Sequence, residues 1–298
     1  RDYYASRGLG DVYKRQSVFR AQKADSKKEY FMPKESDIIK NTQNPITYGR
    51  LRTDLRRLGI RSGDVLFVHA SLSAVGWVCG GAAAVCDALT HAVGEDGTVV
   101  MPAHTRSNSD PAKWEAPPVP ETWHDTIREA MPPFDKNKTP SEGVGKIAEC
   151  FRHYPGTCRS DHPQTSFCAS GKDAAYITAG HALTPQFGDD SPIGKGLRLD
   201  AKVLLIGVGY DRCSALHYAE TMLAKKTVKM GASVLENGKA IWKWFYDVDF
   251  DSDRFPAIGS AFEAQTDFVK IGQIGQAECR FFPMREATAF ALRHPEFL

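Results

Sequence analysis

The sequence predicts an α/β fold: three layers, α/β/α, built on a central mixed, largely parallel sheet, with an antiparallel hairpin region in the C-terminal half. Three observations predict it. Short apolar runs at 65–68 and 203–208 are bounded by glycine and polar turns, the mark of strands buried on both faces. Segments of helical period alternate with those runs in β-loop-α-β order, which implies parallel neighbours joined by right-handed crossovers. Asn237-Gly238 separates two alternating stretches, 227–235 and 240–250, and Asn-Gly is the strongest short signal for a hairpin.

Composition narrows the class. With 42% hydrophobic and 25% charged residues, the 298-residue chain has enough apolar material for one large core. A net charge of +2 with no basic stripe argues against nucleic acid as a partner. Seven scattered cysteines, odd in number and without C-x-x-C, suit reduced thiols in the cytoplasm better than a disulfide framework or a zinc site. No apolar run reaches the length of a membrane span, and no charged-then-apolar signal opens the chain.

Taken in order, residues 1–16 contain DVYKRQ, which resembles the translation of a transposon-end adaptor; they are expected to be a non-native artefact, or else an unanchored native terminus. Residues 17–45 are charged and unpatterned and are expected to form a poorly anchored leader, leaving 46–298 as a single domain. Leu51, Leu55, Leu58 and Ile60 mark a helix. The strand at 65–68 runs into His69, Ser71, Leu72, Ser73, Gly76 and Gly80, then a helix at 82–93 and a strand at 98–101. Residues 103–141 are rich in proline and poor in aliphatics, and read as a substrate-side flap. A helix at 142–153, a strand at 166–169, a helix at 173–181 and a polar loop at 185–196 follow. After 203–208 comes a helix at 215–223 with Ser214 as its expected N-cap, and helices at 255–265 and 283–292 close the chain.

Chemistry is expected where the strand at 203–208 gives way to its helix. His217 and Glu220 stand three apart and share one helical face. His217 is a candidate base, or a residue that packs or caps. Strand period places Asp247, Asp249 and Asp251 on one face, where like charges need compensation from a cationic ligand; a solvated edge that blunts aggregation, or calcium, are the other readings. Segment 69–81 has neither G-x-G-x-x-G nor a Walker lysine, yet its small residues allow close backbone approach to a ligand. Arg159, Ser160 and His162 pair a cation with a hydroxyl and an imidazole. No G-x-S-x-G elbow, H-E-x-x-H or other metal-ligand spacing is present, so neither a serine hydrolase nor a metal cofactor is expected.

VLFVHASLSAVGWVCGG, DGTVVMPAHT, RSDHPQTSFCASG, DDSPIGKGLRLDAKVLLIGVGYDRCSALHYAE and DVDFDSD together resemble the aminoglycoside 3-N-acetyltransferase family, over residues 51–253. The resemblance implies transfer of acetyl from acetyl-CoA to the 3-amine of a 2-deoxystreptamine ring. It implies His217 as base with Asp249 as its orienting carboxylate. It implies Glu220, Asp211, Asp247 and Asp251 as contacts to the aminoglycoside ammoniums. The acetyl-CoA groove would comprise His69, Ser71, Leu72, Ser73, Gly76, Gly80, Arg159, Ser160, His162, Ser166 and Phe167. Another amine acceptor, or a non-catalytic protein that binds a cationic ligand, are the competing readings; a monomer or homodimer is expected.

Overall fold

The apolar runs become adjacent strands because their side chains alternate between two cores. In the computed structural model, which describes residues 34–115, 117–223 and 226–298, β1 (Val65–Ala70) sends Leu66 and Val68 to one core and Val65 and Phe67 to the other. β2 (Thr98–Pro102) and β5 (Lys202–Ile206) split the same way, Leu204 and Ile206 against Val203 and Leu205. A strand buried on both faces has no polar side to show, which is why these segments read as continuous runs.

The helices cover both faces. α1 (Glu35–Asn41), α2 (Tyr48–Leu58), the single turn α3 (Leu72–Val75), α4 (Gly81–Val93), α5 (His124–Ala130), α6 (Gly145–Arg152), α7 (Ala174–Thr178), α8 (Pro192–Arg198), α9 (Leu216–Met222), α10 (Phe255–Gln265) and α11 (Met284–Arg293) alternate with β3 (Cys158–Arg159), β4 (Phe167–Gly171), β6 (Thr227–Glu236), β7 (Lys239–Val248), β8 (Lys270–Ile274) and β9 (Ala277–Pro283). Leu51, Leu55, Leu89 and Phe151 from α2, α4 and α6 fill one core; Ile177, Ile193, Phe255 and Phe290 from α7, α8, α10 and α11 fill the other.

The seven-stranded sheet runs β3-β4-β2-β1-β5-β9-β8. It is mixed, as expected, but not largely parallel: β1 is parallel to β2 and to β5, and the other four neighbouring pairs are antiparallel, because β4, β8 and β9 join the sheet by antiparallel returns. Strands β8 and β9 were absent from the sequence reading. Gln273, Glu278 and Arg280 interrupt their apolar pattern, and it is pairing with β5 that holds β9 in the sheet. Helix α8 also replaces part of the expected polar loop. Its two glycines disfavour a helix locally, but Ser191 Oγ caps Gly194 N–H at 3.2 Å, and a Cβ at Gly196 would stand 2.5 Å from the Phe67 ring. Packing against β1 therefore requires glycine there.

β6 and β7 form the expected hairpin as a separate two-stranded sheet, in register from Thr227↔Val248 to Glu236↔Lys239. Asn237 and Gly238 both adopt positive φ, 52° and 75°, as a type I′ turn demands. The flap at 103–141 is clamped to this hairpin: Asn108 exchanges two hydrogen bonds with the Ser233 backbone at 2.9 and 2.7 Å, and Phe134 N–H donates to the Ser233 carbonyl at 3.0 Å.

Expectations for the N-terminus fall in two parts. The artefact at 1–16, and the leader as far as 33, lie outside the described residues. From Glu35 the chain belongs to the compact unit Glu35–Leu298, so the domain starts before 46. The reason is anchoring by polar contacts: Trp77 N–H donates to Thr42 Oγ1 at 2.9 Å and Gln276 Nε2 donates to the Asn41 carbonyl at 2.9 Å. Among the described residues no helix is long and apolar enough to cross a membrane.

Candidate active site

β2, β1 and β5 run parallel and so end at one edge of the sheet, where α/β proteins collect ligand-binding loops. α9 follows β5 there. It begins at Leu216 behind Ala215, whose side chain makes no capping bond, so the expected Ser214 cap does not form. Leu216 and Ala219 dock into the core and fix the first turns of the helix, which carry His217 and Glu220.

His217 Nδ1 lies 2.6 Å from Glu220 Oε2, and the Glu220 side chain is fully buried. The second carboxylate oxygen, Oε1, accepts the Asp251 N–H at 3.1 Å. The imidazole is boxed by aromatic rings: stacked on Phe187 at 4.8 Å, edge-on to Phe250 at 5.1 Å and tilted on Phe255 at 4.8 Å. Nδ1–H donated to a carboxylate leaves Nε2 as the basic nitrogen, with no hydrogen-bond partner among the described residues. This is the geometry of a base held in one tautomer and orientation.

The orienting carboxylate is thus Glu220, in place of the expected Asp249. Asp249 stands just beyond the end of β7, where strand alternation no longer aims it; it is exposed, and its N–H donates to the Lys226 carbonyl at 2.9 Å. Asp249 and Asp251 instead line an open cavity of about 630 Å³ with Lys226, Phe250 and Arg254. Glu220 and Asp247 are too buried to meet an ammonium group. Asp247 accepts the N–H of Gln186 at 2.8 Å and of Val248 at 2.7 Å, tying β7 to the loop before α8. Asp211 is half-buried beside Arg212 at 3.2 Å.

The expected acetyl-CoA contacts divide. Arg159, Ser160, His162, Ser166 and Phe167 are buried and hold the loop together. Arg159 donates from Nε to Ser166 Oγ at 3.0 Å, from Nη2 to the Ala103 carbonyl at 2.7 Å and from Nη1 to the Thr139 carbonyl. Burial pulls its guanidinium down to about 10. Ser160 Oγ accepts the Phe167 N–H at 2.9 Å and lies 3.0 Å from His181 Nδ1. His162 Nδ1 accepts from the N–H of Gln164 and Thr165 at 3.1 and 2.9 Å, so its Nε2–H donates to the Leu183 carbonyl at 3.1 Å. No atom of these groups is left over for a ligand. We expect Arg159→Ala to lower stability by about 3 kcal/mol, because buried carbonyls lose a charged donor. Urea unfolding measures this; unchanged stability with weakened acetyl-CoA binding would restore Arg159 to the groove.

The other group stays at the sheet edge. His69 is buried near the end of β1, Ser71 and Ser73 meet through their hydroxyls at 3.1 Å, and Leu72 and Ser73 open α3, half-buried. Gly80 is the exposed, left-handed N-cap of α4. Gly76 faces inward: a Cβ there would meet Gln276 at 2.6 Å.

Three features escaped sequence reasoning. The aromatic box of Phe187, Phe250 and Phe255 is scattered along the chain and had no local signal. His181 sits buried between Ser160 and Gln186. His104, just past β2, presses edge-on against Phe167 at 5.3 Å, and its buried Nε2 has no hydrogen-bond partner among the described residues. The His217–Glu220 pair itself was legible in the i, i+3 spacing, though the carboxylate's role was assigned elsewhere. Burial, and then the charge of His217, pulls His69 down to about 4; burial and then the charges of His69 and His217 pull His104 down to about 3. Of the imidazoles at this edge, His217 alone has a carboxylate partner among the described residues. Cys213, nearby on the chain, is fully buried, and burial pushes its thiol up to about 12, which removes it as a nucleophile.

Known proteins share this fold and much of this sequence. The crystal structure of YokD from Bacillus subtilis superposes with a TM-score of 0.84 at 41% identity, covering 87% of this chain and 96% of that one. Its curated sequence, an aminoglycoside N(3')-acetyltransferase-like protein, is 42% identical over 256 residues, 85% of this chain and 94% of its own length. AAC-VIa bound to sisomicin gives a TM-score of 0.76 at 32% identity, covering 85% and 98% of the two chains. AAC-IIIb in a binary complex with CoASH gives 0.76 at 30%, covering 85% and 97%. The family model for aminoglycoside 3-N-acetyltransferase matches residues 67–295. With a family match over most of its length, and relatives more than 30% identical over most of both chains, this chain belongs to the aminoglycoside 3-N-acetyltransferase family of acyltransferases.

Proposed function

We propose that this protein transfers acetyl from acetyl-CoA to the 3-amine of an aminoglycoside in the cytoplasm, directly, with His217 as general base. The observation that carries the reading is His217 Nδ1 held at 2.6 Å by the buried Glu220, which leaves Nε2 to take a proton. Asp249 and Asp251 offer a cationic acceptor two carboxylates in a cleft of mixed charge beside Phe250, whose ring touches His217. Relatives of the same fold bind sisomicin and CoASH, which supports both substrates.

The step balances as follows. Imidazole removes a proton from the ammonium, and the freed lone pair forms the N–C bond to the thioester carbonyl. The C–S pair leaves on sulfur. Nitrogen sheds two protons overall: one converts thiolate to thiol and the other goes to solvent. Imidazole suits this because it accepts and releases protons near neutral pH.

Purified protein with acetyl-CoA and a panel of amines tests the reading. Thiol release matched one-to-one by acetylation of 2-deoxystreptamine aminoglycosides is expected. Release without any amine would identify a thioesterase instead, and release only with simpler amines would move the acceptor elsewhere.

A further inference from the structure

A neutral imidazole with an empty, buried nitrogen at an active-site edge asks for a ligand. His104 follows β2 by two residues, and its ring contact with Phe167 places it on the face whose core also holds Val100, Phe67 and Leu216. His69 lies on that face through Phe67, and α9 docks on it through Leu216 and Ala219. The edge therefore carries, in strand order β2-β1-β5, His104, His69 and then His217 on its helix. The cleft of Asp249 and Asp251 adjoins His217 through Phe250, at the far end of this row from His104. The backbone of His104 is fixed, its carbonyl accepting the Glu142 N–H at 2.7 Å, and Phe167 fixes the ring. Nε2 is nonetheless unsatisfied. A buried polar atom without a partner is destabilising, a cost that a ligand oxygen removes.

Resting on the acetyl-transfer reading, we propose that His104 is a catalytic residue that donates its Nε2–H to the carbonyl oxygen of the acyl donor. As nitrogen adds to the carbonyl carbon, the C=O π pair moves onto that oxygen against the Nε2–H; its return re-forms the carbonyl and expels sulfur. His104 keeps its proton throughout. Such a donor contributes more to the transition state than to the bound thioester, because charge on the oxygen develops only there. The depressed proton affinity of His104, due to burial and to its imidazole neighbours, keeps it a neutral donor across the working range.

The readout needs no turnover. With [1-¹³C]acetyl-CoA bound and no amine present, the carbonyl stretch of the wild type is expected below that of free acetyl-CoA, and the His104 Nε2 ¹⁵N resonance is expected to shift on binding. His104→Leu should return the stretch to the free value, leave the Kd for acetyl-CoA within about threefold and lower kcat by about 10²–10³. His104→Gln, whose amide still donates, should recover part of both. An unmoved ¹⁵N resonance in the wild type overturns the proposal even if the leucine variant does not fold, and so does an unchanged stretch or a kcat within twofold in that variant. If the wild type acetylates amines while these readouts stay still, His104 alone is wrongly assigned; if it does not bind acetyl-CoA, the acetyl-transfer reading falls as well.

Discussion

Glu220→Gln is expected to lower kcat for acetyl transfer by about 10²–10⁴ while the KM for acetyl-CoA stays nearly unchanged. The substitution keeps size and one hydrogen bond but removes the buried charge that stabilises the imidazolium. It also lets the side-chain amide present either its oxygen or its nitrogen to Nδ1, so the tautomer is no longer enforced. His217→Ala should cost at least as much, since base and orienter act as one unit and their losses do not add. Asp249→Asn separates the two geometries. With Asp249 in the open cleft, its amide should raise the KM for the amine and barely change kcat. If Asp249→Asn instead depresses kcat as Glu220→Gln does, the carboxylate has been assigned to the wrong residue. Thermal melting of each variant checks that the fold survives.

Stability should fall steeply below pH 6.5. Burial holds His69 near 4, His104 near 3 and His181 near 4, and it holds His162 well below its ordinary value. Each is depressed in the folded state, so the unfolded chain binds the extra protons. Stability is therefore undiminished above about 6.5 and is lost as pH falls from there towards the folded values, by up to about 1.4 kcal/mol per pH unit for each group. Four groups together reach on the order of 5 kcal/mol per pH unit, which would exhaust an ordinary folding free energy within about two units. Urea unfolding at pH 7.5, 6.5 and 5.5 measures it. A flat profile across that range would mean that these imidazoles take up protons in the folded state. His181→Asn should make the slope shallower by about one proton, because asparagine cannot titrate.

The i, i+3 spacing of His217 and Glu220 on one helix already contained the bonded pair, whereas the resemblance implied Asp249, in the acidic stretch, as the partner carboxylate. Alternation predicts which face a residue takes only while the strand lasts. β7 ends at Val248, so Asp249 lies outside the rule, while Asp247 inside it turns inward to cap two backbone N–H groups. Arg159, Ser160 and His162 turn to the loop itself for a related reason. A loop rich in donors looks the same whether those donors serve a ligand or the loop itself, and only the partners decide.

From the sequence by itself came the layers, the central strands, the Asn-Gly hairpin and the family, because each depends on period, turn chemistry or a short motif that acts over a few residues. Only the tertiary structure decided which carboxylate serves His217, which histidines are locked in the loop and which one faces the edge with a nitrogen unbonded. It also decided the aromatic box, whose Phe187, Phe250 and Phe255 come from three separate segments. Hydrogen bonds and desolvation act at contact distance, and residues far apart in the chain reach that distance only after the sheet has brought the ends of β2, β1 and β5 to one edge.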